Sequence, residues 1–343
     1  MLGTDIAIDL GTASVKIYLD GKGIVLNEPA MLAYDEQADK VLAVGNEAYA
    51  MLGRTSDRIS VIQPLVNGVI SNFDMAQYLI SSYLKKISGS KVFMPRVVVS
   101  VPCSITEVEK RAVVDSISSS GVRKICLIEE PIAAAMGAGL DISTPHGCLV
   151  IDVGSGTTDI AVISLSGIAI SRSIKVAGSA MDDAIVKYVR RKYNLMIGTK
   201  MAEETKLAIG CVYPRREILT HRVKGRNALT GLPQAVDLSC DEVLEALIEP
   251  AMEIVRVAQE VLEKTPPELV SDIFSDGIIM TGGTSSLYGL GALIAKKTKM
   301  KVTIPEEPQN CVVLGAGKAI QYIDDMEMIP FDKLESFFTE YLK

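Results

Sequence analysis

Two short segments of the chain place an aspartate just before a turn of glycine and small hydroxyl residues. Asp9 and Asp152 each end an apolar run. The turns that follow consist of Gly11, Thr12, Ala13 and Ser14, and of Gly154, Ser155, Gly156, Thr157 and Thr158. Small residues let an anion approach the backbone N–H groups closely, so such turns can bind phosphate without a helix terminus. Carboxylate oxygens suit Mg²⁺, which often bridges them to phosphates through water. Together the two segments predict a site for Mg²⁺ and a nucleoside triphosphate.

Both turns connect one strand to another strand. The β-rich segments VKIYL (15–19) and IAVIS (160–164) follow the first and second turns. A dinucleotide-binding loop would instead lead into a helix whose N-terminus holds the pyrophosphate. The pattern therefore predicts two strand–turn–strand hairpins that face each other across a cleft.

The surroundings of the hairpins repeat as well. Each hairpin is followed by a third strand, IVL (24–26) in the first copy and IAI (168–170) in the second. Strand, helix, strand and helix then follow in the same order. The matching segments are PRVVVSVP (95–102), TEVEKRAVVDSI (106–117) and KICLIEEP (124–131) in the first copy, and DGIIMTGG (276–283), SLYGLGALIAKK (286–297) and KVTIPEEP (301–308) in the second. Each copy then contains the tripeptide GAG, at 137–139 and 315–317. This order predicts a duplicated β-β-β-α-β-α-β-α unit.

Composition argues against several classes of protein. The 35 Lys and Arg against 42 Asp and Glu give a net charge of −7, and no basic run suggests nucleic-acid binding. The two histidines and six scattered cysteines argue against a histidine zinc site and a Ser-His-Asp hydrolase. No apolar run reaches the ~18 residues of a membrane-spanning helix. We therefore expect a cytoplasmic protein that binds no nucleic acid.

On these motifs the chain resembles the MreB family of bacterial actins, in the superfamily of actins, heat-shock chaperone ATPases and sugar kinases. The resemblance covers nearly the whole chain, and its most specific segments are LIEEPIAAA (127–135) and EKTPPELVSDI (263–273). It implies an α/β, actin-like fold of two ribonuclease H-like halves around a nucleotide cleft, each with a smaller inserted subdomain. The implied limits are 1–32, 66–144 and 315–343 for subdomain IA, 33–65 for IB, 145–180 and 245–314 for IIA, and 181–244 for IIB.

The resemblance also implies roles for individual residues. Asp9 and Asp152 would hold Mg²⁺ through water, and the two turns would hold the phosphates of ATP. Glu130 would orient the attacking water, although a carboxylate at this point could also serve only to stabilise a helix N-terminus. Glu203 and Lys206 would contact the ribose and adenine, because residues three apart share a helix face. Their alternative is a solvent-exposed ion pair with each other. Gly282 and Gly283 would lie beside the adenosine.

Four positions depart from the usual MreB pattern. Ser155 replaces a glycine, and Asp159 replaces a glutamate. Lys16 and Thr284 resemble actin more than MreB, and we count both as candidate nucleotide ligands. Lys16 could contact a phosphate, whereas its alternative is an exposed lysine on a strand.

A membrane contact is predicted at SGSKVFMPR (88–96). Val92, Phe93 and Met94 lie between Lys91 and Arg96, and apolar side chains with basic neighbours suit shallow insertion into an anionic leaflet. The alternative is that these side chains cap the core.

The resemblance implies a filament-forming ATPase that maintains cell shape by organising cell-wall synthesis. Its partners would be further copies of itself in double protofilaments, the inner membrane surface and cell-wall elongation proteins. The helix predicted at 106–117 would lie where such filaments pair laterally. The alternatives are a soluble chaperone ATPase, which would need a client-binding domain, and a small-molecule kinase, in which Glu130 would be the base for a substrate hydroxyl.

Overall fold

The computed structural model describes residues 5–88, 95–324 and 326. The elements of the first half are, in chain order, β1 (Ile6–Leu10), β2 (Ser14–Leu19), β3 (Gly23–Pro29), β4 (Leu32–Asp35), β5 (Lys40–Val44), α1 (Asn46–Met51), β6 (Ile59–Ile62), β7 (Leu65–Val66), β8 (Val69–Ile70), α2 (Phe73–Ser88), β9 (Arg96–Val101), α3 (Glu107–Ser118), β10 (Lys124–Glu129) and α4 (Glu130–Gly137).

The second half repeats this order with additions. Its elements are β11 (Cys148–Val153), β12 (Thr158–Ser164), β13 (Gly167–Ile174), α5 (Gly178–Tyr193), β14 (Leu195–Met196), α6 (Thr199–Ile209), β15 (Thr220–Asn227), β16 (Pro233–Ser239), α7 (Cys240–Lys264), α8 (Pro267–Asp276), β17 (Ile278–Thr281), α9 (Leu290–Thr298), β18 (Val302–Thr303) and α10 (Cys311–Ala319). Short 3-10 helices cover Gly283–Ser286, Pro308–Asn310 and Ile320–Tyr322.

The two large sheets have the same strand order, which confirms the predicted duplication. The first sheet runs β10-β9-β1-β2-β3 and the second runs β18-β17-β11-β12-β13. In each, the three consecutive strands pair antiparallel, and the remaining two are added in parallel. One helix prediction was too long at its start. The α-helix in the segment 286–297 begins only at Leu290, because Gly289 just before it has a φ of 85°, which lies outside the α-helical range.

The first strand of each hairpin is buried on both faces. In β1, Ile6 and Ile8 face the core of the first half, whereas Ala7 faces a layer shared by the two halves. In β11, Leu149 faces its own half and Val150 faces the shared layer. Side chains alternate along a strand, so each of these strands contributes to two cores at once.

The shared layer contains α4 and α10, which cross at the repeated GAG tripeptides. A methyl group added at Gly315 would overlap the carbonyl oxygen of Ala133, and one added at Gly137 would overlap that of Cys311. The two backbones are therefore in direct contact, which only glycine permits at these positions. α4 also packs on β11, and α10 packs on β1. The helix at the end of each half thus contacts the sheet of the other half.

Each half carries a small additional sheet. One has the order β5-β4-β6 and is accompanied by α1, and the other has the order β14-β15-β16 and is accompanied by α6. They lie largely within the insertions predicted at 33–65 and 181–244. The subdomain limits themselves remain a prediction.

The apolar residues of the predicted membrane loop, Val92, Phe93 and Met94, lie outside the described residues, so their insertion remains a prediction. Within residues 5–88, 95–324 and 326, no helix is both long enough and apolar enough to span a bilayer.

Replacing Gly315 with alanine tests the helix crossing. The added methyl group would meet backbone atoms that cannot move aside, so we expect Gly315→Ala to lower the free energy of unfolding by about 2 kcal/mol or more. Gly167→Ala is the control, because its added methyl group would have only the Ser164 carbonyl oxygen nearby, at 3.8 Å. Denaturant unfolding measures both. Equal midpoints for Gly315→Ala and the wild type would contradict the crossing.

Candidate functional site

A cleft of about 640 Å³ lies between the two halves, within the range of small-molecule sites. The structure brings nearly all of the predicted nucleotide-site residues to its walls. They are Asp9, Gly11, Thr12, Ala13, Ser14, Lys16, Glu130, Asp152, Gly154, Ser155, Gly156, Thr157, Glu203, Lys206, Gly282, Gly283 and Thr284. Thr158 does not line the cleft. It is fully buried at the start of β12, and its hydroxyl donates to the carbonyl oxygen of Val176 at 2.7 Å.

The two turns present backbone donors to the cleft. Among the described residues, the N–H groups of 11–13 and of 155–157 have no hydrogen-bond acceptor. The shape of each turn is set by other bonds. Thr12 Oγ1 accepts from the Gly68 N–H at 2.9 Å, and the Gly154 N–H donates to the Thr157 carbonyl at 2.9 Å. Groups of adjacent free N–H donors form anion-binding concavities.

The two turns also pack closely against each other. A methyl group on Gly156 would overlap Thr12 Oγ1 and would lie 2.9 Å from the Cα of Asn67. Only glycine fits where the second turn approaches the first this closely. Because the turns are in contact, their N–H groups point into one region of the cleft.

Carboxylates form the floor of the cleft. Asp9 accepts from Ser100 Oγ at 3.2 Å and from Lys16 Nζ at 3.3 Å, and Lys16 also donates to the Gln309 carbonyl at 2.7 Å. Asp152 accepts from Thr281 Oγ1 at 2.6 Å. Asp9 and Asp152 thus have related positions, each at the end of the first strand of its hairpin and each held by a hydroxyl from a neighbouring parallel strand.

Lys16 and Asp159 occupy equivalent positions in the two hairpins. Asp9 pairs across strands with Lys16, and Asp152 pairs across strands with Asp159. Cross-strand partners lie on the same face of a sheet. Lys16 is therefore a buried cleft lysine, and the alternative of an exposed strand lysine is wrong. Asp159 is fully buried and accepts from the backbone N–H and the thiol of Cys103.

Burial raises the pKa of three acids in this region, Glu130, Asp152 and Asp159. It raises the pKa of Glu130 well above the usual carboxyl range, and the charges of Asp159 and Asp152 add to the effect. Burial also raises the pKa of Asp152 to about 7, against the opposing effect of the bond from Thr281. The pKa of Asp159 is raised by burial as well. The floor of the cleft therefore holds more carboxylates than its own cations can stabilise.

The other end of the cleft suits a nucleoside. Gly282 has a φ of 83°, and a side chain there would overlap the backbone carbonyl of Val153. Thr284 Oγ1 donates to the carbonyl of Gly154 at 2.7 Å and so ties this segment to the second turn. The guanidinium of Arg215 stacks on Tyr288 at 4.0 Å from the ring centroid, and both line the cleft.

Glu203 and Lys206 both line the cleft but do not pair with each other. Lys206 Nζ donates to Asp182 Oδ2 at 2.8 Å and to the Gly178 carbonyl at 2.9 Å. Burial raises the pKa of Asp182 to about 6, with Lys206 opposing the shift. Glu203 instead accepts from the Tyr49 hydroxyl. The alternative of a solvent-exposed Glu203–Lys206 pair is wrong.

Several site residues were not predicted. Ser100 and Thr281 lie at equivalent places near the ends of the parallel strands next to the two hairpins, so the repeat could have identified them. Asp182 and Arg215 lie in the inserted region of the second half and carry no repeat signal. A second cavity of about 1160 Å³ lies beside α4 and α10, but the two glycine turns do not line it.

The chain is similar to known proteins over nearly its whole length. Residues 3–328 match the family model described as MreB/Mbl protein. The cell shape-determining protein Mbl of Bacillus cereus is 44% identical over 325 residues, which are 94% of this chain and 98% of that protein. The cell shape-determining protein MreB of Escherichia coli is 44% identical over 330 residues, which are 94% of this chain and 95% of that protein.

Solved structures confirm the predicted actin-like α/β fold. MreB5 of Spiroplasma citri bound to ADP superposes with a TM-score of 0.90 at 36% identity and covers 94% of this chain and 98% of that one. The same protein bound to AMPPNP gives a TM-score of 0.89. A MamK double helical filament is similar in fold alone, with a TM-score of 0.79 at 21% identity over 92% of this chain. By sequence over nearly its whole length, and by fold, the chain belongs to the MreB/Mbl protein family.

Proposed function

We propose that the cleft binds ATP with Mg²⁺ and hydrolyses it, and that the ATP-bound chain assembles into filaments that help to determine cell shape. One observation supports the nucleotide site most strongly. Two glycine turns from opposite halves present backbone N–H groups without acceptors among the described residues, next to a floor of buried carboxylates. The solved MreB5 structures contain ADP and AMPPNP, and they share the fold that positions these turns.

The two turns are the proposed phosphate site. Residues 11–13 and 155–157 would donate backbone N–H groups to the phosphate oxygens, with Ser14 and Gly154 at the ends of the two turns. Lys16 adds the positive charge of its ammonium at the junction between the first turn and the floor. Because Gly156 packs on Thr12, a phosphate held by one turn lies within reach of the other.

The floor fits a magnesium ion held through water by Asp9 and Asp152. Burial, together with the charge of Asp159, raises the pKa of Asp152, and an added divalent cation would stabilise its ionised form. Within the described residues there is no cluster of three or more His, Cys, Asp or Glu that could hold a metal directly. The cation would be bound through water and phosphate, and its chemical contribution would be to neutralise negative charge on the phosphates.

Glu130 is the proposed catalytic residue. It is the first residue of α4, it is buried, and it lines the cleft. An ionised carboxylate at this place can accept a hydrogen bond from a water molecule and so orient it for attack on the terminal phosphate. Cations in the site favour that ionised form, because they oppose the neighbouring negative charges.

The nucleoside end would be held by α6 and the segment after β17. Glu203 and Lys206 would contact the ribose and base, and Gly282, Gly283 and Thr284 would lie against the adenosine. The stacked Arg215 and Tyr288 give this end a flat surface suited to a base.

The protein would also assemble into filaments and bind the inner membrane surface. The similar fold of the MamK filament and the names of the MreB and Mbl relatives support a filament that determines cell shape. On α3, the proposed lateral contact between protofilaments, Val108 is 79% exposed. Cell-wall elongation proteins and the inner membrane surface would be the further partners. The chain would therefore act in the cytoplasm at the inner face of the membrane.

Replacing Asp152 with asparagine should have opposite effects on the stability of the ligand-free protein and on its affinity for Mg-ATP. The pKa of Asp152 is about 7 in the fold against an ordinary 3.8, so the folded state holds the proton more tightly. The ligand-free protein thus loses stability as pH rises from about 4 to 7. At pH 8 we expect Asp152→Asn to stabilise the ligand-free protein by about 1 kcal/mol or more, and to weaken Mg-ATP binding at least about tenfold.

The control for Asp152→Asn is Asp183→Asn, at an exposed position on α5, which should change neither property. Chelation of Mg²⁺ should weaken ATP binding to the wild type and have little further effect on Asp152→Asn. Thermal unfolding at several pH values and calorimetric titration measure these quantities. A less stable Asp152→Asn protein that binds Mg-ATP normally would contradict the proposed floor.

Replacing Glu130 with glutamine tests hydrolysis. Glutamine keeps the shape but loses the charge that orients water, so we expect phosphate release to fall about 100-fold or more with Mg-ATP binding retained. Filaments should then accumulate in sedimentation with Mg-ATP. Glu129→Gln is the control, because Glu129 lines the second cavity instead of the cleft. Undiminished phosphate release by Glu130→Gln would exclude this role.

Serine at both Phe93 and Met94 tests the membrane loop. Removing these apolar side chains should abolish co-sedimentation with anionic vesicles in the presence of Mg-ATP, because shallow insertion depends on buried apolar area. Filament formation without vesicles should persist and serves as the control. Undiminished vesicle binding by the double variant would show that the loop is not the membrane contact.

A further inference from the structure

The side chain of Tyr49, on helix α1 beside the small sheet of the first half, reaches helix α6 of the second. Its hydroxyl donates a hydrogen bond to Glu203 Oε2 at 3.1 Å. The ammonium of Lys200, three residues earlier on α6, lies 4.5 Å from the centroid of the Tyr49 ring. Two residues of α6 therefore hold one side chain from the opposite half, one by its polar tip and the other by its aromatic face.

The helix that carries Tyr49 is fixed at its start. Gly45 precedes α1 with a φ of 61°, and a side chain there would overlap the Glu28 carboxylate and lie 2.6 Å from the Tyr83 hydroxyl. The backbone thus passes directly over these two groups, and the Asn46 N–H donates to Glu28. Tyr83 is itself fully buried. Tyr49 is therefore presented by a well-anchored turn of helix.

The helix that carries Glu203 is fixed as well. Lys206, one turn further along α6, is bonded to Asp182 and to the Gly178 carbonyl of α5. The contact between Tyr49 and Glu203 thus joins two elements that are each attached to their own half.

Glu203 can also accept a hydrogen bond from a ligand in the cleft. It lines the cleft, and a carboxylate accepts hydrogen bonds at both of its oxygens. One oxygen holds Tyr49, so the other remains available to a ligand. A glutamate without this contact would adopt several rotamers, and ordering it on binding would cost conformational entropy.

We propose that Tyr49 is a positioning residue of the nucleotide site, which holds Glu203 in place for the ribose and slows the departure of the bound nucleotide. The inference rests on the proposed nucleotide site. The contact crosses the cleft, so it must break before the halves can separate on this side. Burial and the Glu203 charge raise the pKa of Tyr49 to about 12, and the phenol remains a donor throughout the neutral range.

The test is the rate at which 1,N6-etheno-ATP leaves the full-length chain in the presence of Mg²⁺. This probe is modified on the base and leaves the ribose free. Tyr49→Phe removes only the hydroxyl, and we expect release to become about tenfold faster, as for loss of a hydrogen bond to a charged group. Tyr78→Phe makes the same chemical change at an exposed position on α2 and should release the probe at the wild-type rate.

A second comparison separates positioning from general loosening of the fold. In a Glu203→Ala background, Tyr49→Phe should have no further effect on release, because its partner is already absent.

The outcomes are distinct. Wild-type binding of the probe with equal release by wild type and Tyr49→Phe would overturn the role of Tyr49 alone. The same acceleration with and without Glu203 would also overturn it, since Tyr49 would then act by another route. A wild-type chain that does not bind the probe at all would instead overturn the proposed nucleotide site, and the inference with it.

Discussion

The direct backbone contact between α4 and α10 is the constraint on which the rest of the structure depends. With glycine at 137 and 315, the two helices lie close enough for each to pack on the sheet of the other half. That packing brings the ends of β1 and β11, with Asp9 and Asp152, to one floor. It also sets Glu130, the first residue of α4, at the same floor. The geometry of the floor is thus determined by backbone packing, which cannot adjust in small steps.

A second contact between the halves, beside the cleft at α6, is of a different kind. There the halves meet through the side chains of Tyr49, Lys200 and Glu203, which can separate by rotamer changes alone. The floor meanwhile holds a cluster of buried acids with Lys16 as their nearby cation, an arrangement that opposes folding in the absence of ligand. Functional sites commonly retain such strain because it is relieved on binding. In this protein the relief would come from a bound cation and its nucleotide.

The sequence predicts the fold and the phosphate end of the site because both are carried by the duplication. Asp9 and Asp152, the two turns and the GAG tripeptides are local patterns that occur twice, and a repeated local pattern identifies equivalent positions in three dimensions. The sequence gives no such signal for Tyr49 and Asp182, which lie in or beside the insertions and meet their partners only through tertiary packing. Lys16 has one contact of each kind, one that the sequence predicts and one that arises only from tertiary packing. Its position opposite Asp9 follows from the hairpin register, but its bond to the carbonyl of Gln309, 293 residues away, does not.

A crystal structure of the chain with Mg²⁺ and a non-hydrolysable ATP analogue would show whether the two turns bind one nucleotide together. We expect phosphates bound between residues 11–14 and 154–157, with the metal above Asp9 and Asp152 and the ribose beside Glu203. Phosphates held by only one of the two turns, or an analogue bound in the cavity beside α4 and α10, would contradict this expectation.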